Sequence, residues 1–344
     1  MEDYQIDVRR ALDAFPLPWE KLSNKNVLVL GATGLIGGCL VDLLMSHAPI
    51  DYHVFAAGRN LERANKRFAS YVGSGHYHFI PFDVTMPMEA NICFDYIVDA
   101  AGGATPQLYS SDPVGVMKSN IFGVDNLLSF GLKHGLSKFV YVSSGEVYGE
   151  GDGRIFEEDY SGYVNPMKVR SCYPSAKRAT ETLCVCYAHQ YGIDVSIARP
   201  CHVYGPYFTD SDNRVYAQFI RNVLRGENIV LKSKGDAFRS WIYVVDCAMA
   251  LLHIVLKGAN GEAYNIAHEE SNVSIRTLAE IVAELSGKKV VLDIPEDARR
   301  GNTTPITKAV FSTHKLEQLG WHPISPLREG VRHTIDTLKE LARF

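Results

Sequence analysis

A chain of 344 residues with 46% apolar and 22% charged side chains is long enough for two packed lobes and too apolar to be disordered. A formal net charge of −4 excludes a broad electrostatic pull toward nucleic acid or anionic membrane, so an anionic ligand must be met by local arginines. Seven cysteines (Cys39, Cys93, Cys172, Cys184, Cys186, Cys201, Cys247) are odd in number and lack C-x-x-C spacing, which argues for reduced core thiols and against disulfides or a zinc site. Met1-Glu2-Asp3-Tyr4 opens no signal peptide, and no apolar run has membrane-spanning length, so a cytoplasmic protein without a metal is expected.

Within residues 1–23, Val8, Ala11, Leu12 and Phe15 fall at i, i+3, i+4, i+7. This spacing predicts a short amphipathic helix ended by Pro16 and Pro18 and packed on the main domain. From Asn24 the pattern alternates. Short apolar runs at 27–30, 53–57, 78–81, 96–100, 139–142 and 195–198 read as strands, and 35–47, 116–134 and 173–191 carry helical periodicity. Such alternation predicts right-handed βαβ units and a doubly wound parallel sheet of the Rossmann type, over residues 24–199. After Arg199, Pro200, Gly205 and Pro206 break the rhythm. A smaller mixed substrate lobe is expected from 200–239 and 265–344, with 240–264 returning to the main domain.

Gly31-Ala32-Thr33-Gly34-Leu35-Ile36-Gly37 follows the first strand and opens a helix. Glycines there allow a tight turn and a close approach of backbone to a pyrophosphate, whose charge meets the helix N-terminus. Dinucleotide binding by Gly31, Thr33, Gly34, Leu35, Ile36 and Gly37 follows from that placement. At the end of the second strand, where a carboxylate would bind the ribose of NAD, the chain has Gly58-Arg59. An arginine can hold a 2′-phosphate, so Arg59 favours NADP, unless it is only a solvated loop residue. Asp83-Val84 after the third strand could face the adenine, and Ala101, in Ala100-Ala101-Gly102-Gly103, leaves room for the middle of the cofactor; ordinary strand-end turns explain both equally well.

Tyr173 and Lys177 stand i, i+4, on one helix face. A phenol is a poor base near neutrality, with a pKa of ~10. A neighbouring ammonium, aided by an oxidised nicotinamide, lowers that value, so that Tyr173 can take a proton from a sugar hydroxyl as hydride leaves. Upstream, Tyr141-Val142-Ser143-Ser144 ends a strand, where α/β folds bind ligands, and Ser144 could hydrogen-bond the reacting oxygen. The conjunction makes Ser144, Tyr173 and Lys177 the expected catalytic group. Glu146 would face the same sugar and move a proton at a neighbouring carbon, or be a solvated loop residue.

These residues resemble the extended short-chain dehydrogenases acting on nucleotide-sugars, and within them the branch of UDP-glucuronate decarboxylases. The resemblance rests on 143–149 (Ser-Ser-Gly-Glu-Val-Tyr-Gly), Glu158-Asp159-Tyr160, Val164-Asn165-Pro166, Arg170, Cys172-Tyr173, Lys177-Arg178, Glu181-Thr182, Tyr204-Gly205-Pro206, 212–215 and Arg239. It implies oxidation at C4 of the sugar by Ser144, Tyr173 and Lys177, an acid/base Glu146, Arg239 near the substrate's diphosphate or carboxylate, and retained NAD. Arg170 and Arg214 are further candidates for substrate contact, or surface ion pairs. The family also implies a homodimer formed through the helix of Tyr173 and the one before it.

Departures are informative. The family's dehydratases carry aspartate before the glutamate and its decarboxylases usually serine; Gly145 is neither, which disfavours dehydration and removes a hydroxyl from decarboxylation. His202 stands where the family often has asparagine. Four readings stay open: a lyase or isomerase working through a 4-keto sugar, with UDP-glucuronate decarboxylation foremost; an NADPH-dependent keto-sugar reductase; a C4 epimerase; and a non-catalytic dinucleotide sensor.

Overall fold

Uninterrupted apolar runs make strands covered on both faces, and the large sheet is built from them. The computed structural model describes residues 2–294 and 307–341; residues 295–306 and 342–344 of the expected C-terminal lobe lie outside the described residues. In chain order the first part runs α1 (Glu2–Ala14), β1 (Asn26–Leu30), α2 (Leu35–Ser46), β2 (His53–Gly58), α3 (Leu61–Arg67), β3 (Tyr77–Pro81), β4 (Tyr96–Asp99), α4 (Pro106–Ser111), α5 (Pro113–His134), β5 (Lys138–Val142), α6 (Cys172–Tyr191) and β6 (Val195–Pro200). There follow β7 (His202–Tyr204), α7 (Val215–Leu224), β8 (Ile229–Leu231), β9 (Phe238–Tyr243), α8 (Val244–Lys257), β10 (Glu262–Ile266), β11 (His268–Ser274), α9 (Ile275–Leu285), β12 (Val290–Leu292), β13 (Lys308–Ala309), α10 (His314–Glu317) and α11 (Leu327–Glu340).

Seven parallel strands form the large sheet in the order β10-β6-β5-β4-β1-β2-β3. Alternate residues of each strand face opposite cores. Val27, Val29, Val54, Ala56, Val98 and Val140 pack with α2 and α8. Leu28, Leu30, Phe55, Ile97, Phe139 and Ile197 pack with α5 and α6. Strand order reverses between β1 and β4, and a crevice opens beyond their carboxyl ends, where doubly wound sheets bind ligands. The smaller sheet has the order β11-β9-β13 with β7 also on β9. Ser240–Tyr243 therefore belong to the small sheet, and the return to the large one is made by α8 and β10.

The N-terminal helix packs as its apolar spacing predicts, burying Val8 and Ala11, yet it is also anchored by polar groups. Tyr4 donates to buried Asp42 of α2 at 2.6 Å, Arg67 is ion-paired with the same carboxylate, and Asp7 is 2.8 Å from His333 of α11. A buried carboxylate needs such partners, because leaving it unpaired would cost several kcal/mol, roughly 3–5. The seven cysteines are free thiols. Among the described residues no helix is long and apolar enough to cross a membrane.

Candidate active site

The turn after β1 forms one wall of the crevice. Gly31 has φ +69°, and a Cβ there would stand 2.5 Å from the carbonyl oxygen of Ala100 beyond β4. Only glycine lets the two strand ends come this close. Gly34 caps α2, which Leu35 and Ile36 open, and the position a Cβ would take on Gly37 is 2.5 Å from the carbonyl oxygen of Gly31. The resulting cradle of backbone at a helix N-terminus fits the pyrophosphate of a dinucleotide.

Thr33 lies beside the end of β2, its Oγ1 3.4 Å from where a Cβ on Gly58 would be. Arg59 is exposed next to it. Asp83 accepts hydrogen bonds from the backbone N (3.0 Å) and hydroxyl (2.8 Å) of Thr85; with help from the Arg59 charge, these hold its carboxyl below the usual range. Val84 packs on Gly123 of α5. Ala101 N donates to Asp99 Oδ1 at 3.0 Å. On Gly102 a Cβ would lie 3.6 Å from Lys177 Nζ, so the turn after β4 reaches the lysine of α6.

Ser144 follows β5 and caps a short helical turn, its Oγ accepting from Glu146 N at 3.2 Å. Tyr173 and Lys177, 5% and 3% exposed, lie in the first turns of α6. Ser144 lies beside Tyr173 and favours its charged form, and Lys177 Nζ donates to the carbonyl of Val142 at 2.8 Å. Arg178 fastens the loop by donating to the carbonyls of Val147 (2.6 Å) and Gly162 (2.7 Å).

Electrostatics in the ligand-free protein differ from the expected lowered phenol. Burial, with Glu146, pushes Tyr173 up to about 12, against Ser144, Arg214 and Arg170. Lys177 does not reverse this, because its Nζ is held 5.7 Å from the ring centroid and bound to Val142. Burial pushes Lys177 down to about 8, opposed by Asp99 and Glu181. Asp99, at the end of β4, is itself pushed up to about 6 by burial, with Lys177 pulling it down.

A pH test follows. A depressed lysine is a full ammonium well below its pKa and is lost as pH rises through it, so turnover that needs the charge falls through about 8. Removing the carboxylate by Asp99→Asn lowers the lysine further, and the alkaline limb of kcat should move down by roughly one pH unit. A uniform fall in kcat with an unmoved limb would leave Asp99 a structural role only.

The surroundings of Tyr173 on the side of Ser144 are charged. Glu146 forms an ion pair with Arg170 at 2.6 Å. The Arg170 guanidinium lies 4.5 Å over the ring of Tyr109, which stacks on Tyr173 at 4.8 Å. Arg214 precedes α7 and is held by Asp212 (2.6–3.1 Å) and the Tyr216 hydroxyl (3.1 Å). Arg239, 6% exposed, donates to the carbonyls of Phe238 (2.9 Å) and Thr307 (3.2 Å). His202 is exposed, its ring 5.1 Å from that of Trp241; partial desolvation and the charges of Arg239 and Arg214 push its pKa down, which favours a neutral imidazole.

The structure thus brings Ser144, Glu146, Lys177, Arg170, Arg214, Arg239 and His202 together around Tyr173, and Arg59 and Asp83 together at the ends of β2 and β3. Four further residues belong to the site. Asp99 ends a strand at the crevice, a position legible in the sequence. Asn120, buried on α5, accepts from the Tyr141 hydroxyl at 3.1 Å beside Gly102. Tyr109 shields Tyr173, and Phe311 sits under Gly145. For the last three, only the fold supplies the proximity.

Comparison with known proteins accords with this geometry. Residues 27–267 match the model of the NAD dependent epimerase/dehydratase family. UDP-glucuronic acid decarboxylase 5 of Arabidopsis thaliana is 34% identical over 90% of this chain and 88% of its own length. UDP-glucuronic acid decarboxylase 1 of Xenopus tropicalis is 30% identical over 91% and 72%. The structure of UDP-glucose 4-epimerase of Thermus thermophilus in complex with NAD superposes with a TM-score of 0.74 at 26% identity, covering 91% of this chain and 99% of that one. The NAD complex of dTDP-glucose 4,6-dehydratase of Bacillus anthracis, at 22% identity and a TM-score of 0.76 over 92% and 97%, shares the fold.

Proposed function

Because the chain belongs to the NAD dependent epimerase/dehydratase family, we propose that it remodels the sugar of a nucleotide-sugar through oxidation at C4, with decarboxylation of UDP-glucuronate as the net reaction. The observation that carries this reading is the meeting of Ser144, Tyr173 and Lys177 with Glu146 and three arginines on one cleft. In it, residues 24–199 with α8 and β10 hold the dinucleotide, and the smaller lobe built around β7, β9 and β11 holds the sugar nucleotide.

Bound nicotinamide supplies a hydride acceptor and, when oxidised, a positive charge beside the phenol. Tyr173 takes the proton of the C4 hydroxyl, Ser144 hydrogen-bonds the same oxygen, and Lys177 keeps the phenolate charged. In the 4-keto sugar the C5–C6 bond breaks, carbon dioxide leaves, and the electron pair moves onto the C4 oxygen as an enolate. A sugar carboxylate competes with Glu146 for Arg170, which frees Glu146 to take up a proton from solvent and pass it to C5 of the enolate, whose C4 carbonyl re-forms. When C4 is reduced again, Tyr173 returns its proton to the C4 oxygen, with Ser144 still hydrogen-bonded to it.

Purified protein incubated with UDP-glucuronate, with NAD and NADP supplied separately, should lose carbon dioxide from the sugar nucleotide by mass spectrometry. Unchanged substrate with both cofactors sinks the decarboxylase reading. An NADPH-dependent keto-sugar reductase is the second reading, favoured by Gly58-Arg59, where no carboxylate is present to repel a 2′-phosphate. Arg59→Ala should then weaken NADP by about tenfold or more, the worth of a charge-assisted hydrogen bond, and leave NAD unchanged. Titration showing equal loss for both cofactors would remove Arg59 from cofactor choice. A C4 epimerase would use the same three catalytic residues, whereas a non-catalytic sensor has no need of them.

The reading includes a cytoplasmic homodimer. Met117 and Phe122 of α5 and Val185 of α6 are exposed apolar residues on two helices that pack side by side, the surface a four-helix bundle with a second copy would cover. Light scattering should give twice the chain mass; a monomer at micromolar concentration would overturn it.

A further inference from the structure

The family match begins at residue 27, so α1 lies ahead of it, and the polar side chains of this helix reach both lobes. Toward the dinucleotide domain, Tyr4 donates to Asp42 of α2 at 2.6 Å. Arg67, which closes α3, donates to the Tyr4 hydroxyl at 3.4 Å and is paired with the same Asp42 carboxylate. Toward the smaller lobe, Asp7 meets His333 of α11 at 2.8 Å. Arg10 donates to Glu329 at 2.5 Å and to the Ser325 hydroxyl at 3.3 Å. A third contact is made to the segment after β7. The ring of Tyr207 meets that of Tyr4 edge-on, centroids 5.1 Å apart, and the Arg67 guanidinium lies 3.6 Å from the Tyr207 centroid.

Helix α11 is in turn seated on two strands of the small sheet. A Cβ on Gly330 would stand 2.5 Å from the Tyr204 hydroxyl and 3.1 Å from the Tyr243 ring, and Tyr204 donates to the carbonyl of Leu327 at 3.3 Å. Tyr204 ends β7, which begins with His202, and Tyr243 ends β9, which holds Arg239. We propose that α1 is a clasp between the lobes, with Tyr4 and Arg10 as positioning residues that set Arg239 and His202 at a fixed reach from Tyr173 and Lys177. The proposal rests on the reading that the smaller lobe holds the sugar nucleotide. Apolar contact is non-directional, so buried Val8, Ala11 and Phe15 hold the helix down without fixing its register. Hydrogen bonds to charged groups accept one geometry. Tyr4 and Arg10 lie about 9 Å apart along the helix axis, so the helix is pinned once to each lobe.

The Tyr4→Phe/Arg10→Gln double variant of the full chain tests the clasp and strands no buried charge. Asp42 keeps Arg67 and the Tyr71 hydroxyl (3.1 Å), and Asp7 keeps His333. Affinities for NAD and for UDP, each measured by calorimetry, should stay within about twofold, because each ligand is held by one lobe. Turnover of UDP-glucuronate should fall by about tenfold, because the sugar must be presented by one lobe to the catalytic residues of the other. Arg9→Gln, on the exposed face of α1, should change nothing. Unaltered turnover in the double variant, or equal losses of both affinities and turnover, would overturn the clasp. Hydrogen exchange decides the case without a substrate. In the double variant α11 and β9 should exchange faster while β1 and α2 keep their protection; equal protection throughout, or faster exchange everywhere, removes the positioning role. Unmutated protein that leaves UDP-glucuronate unchanged defeats the decarboxylase reading instead, and the exchange pattern then stands as the test of α1.

Discussion

Tyr173→Phe should reduce turnover by roughly 10²–10⁴-fold, the range supplied by a positioned proton acceptor, while cofactor affinity stays within about twofold. The side chain is 5% exposed and stacked on Tyr109 at 4.8 Å. Phenylalanine keeps the ring and its stack, so packing survives and only the hydroxyl is lost. Because burial holds the phenol at about 12 without ligand, the base exists only when positive charge is brought to it. Lys177→Met should therefore lower turnover as strongly, and removing both should do little more, since the two act as one unit. Single-turnover kinetics, with cofactor affinity measured separately, check this. Turnover above about a tenth of the starting rate in Tyr173→Phe would move the role of base to another group, with Glu146 the nearest candidate.

Legibility of the site in the sequence follows the range of the interactions. Local spacing showed what local geometry controls: the glycine turn, the strand ends, and the i, i+4 pairing of Tyr173 with Lys177. The alternation of strands and helices showed the doubly wound sheet for the same reason. Contacts made across the chain were not legible. Nothing near Arg170 in sequence shows that it closes on Glu146 at 2.6 Å, nor that Arg239 spends a guanidinium nitrogen on the carbonyls of Phe238 and Thr307. The reversed direction of the Tyr173 shift has the same origin. Spacing places the ammonium on the right helix face, but burial, which outweighs it, belongs to the folded chain.

Gly145→Ser should destabilise the protein by about 1–3 kcal/mol, as overpacking does, and lower kcat by about 10²-fold, the effect of a displacement near 1 Å at a catalytic centre. A Cβ on residue 145 would stand 2.2 and 2.4 Å from Cζ and Cε1 of Phe311. That ring cannot swing away. It is 2% exposed, and the rings of Tyr148 and Phe156 are centred 5.6 Å from it. The backbone of 144–146 must yield instead, and it carries Ser144 on one side and Glu146 on the other. Phe311→Ala alone should cost about 3–5 kcal/mol through the cavity it leaves. In the double variant serine fills part of that cavity, so the two losses should fall short of additive by about 1–3 kcal/mol. Thermal denaturation of the four proteins closes the cycle, and kcat in the double variant should recover relative to Gly145→Ser. Additive losses would show that Phe311 does not dictate the glycine. A favourable coupling means that Gly145 records the ring packed beneath it and not a change of substrate, and the missing hydroxyl then carries no weight against decarboxylation.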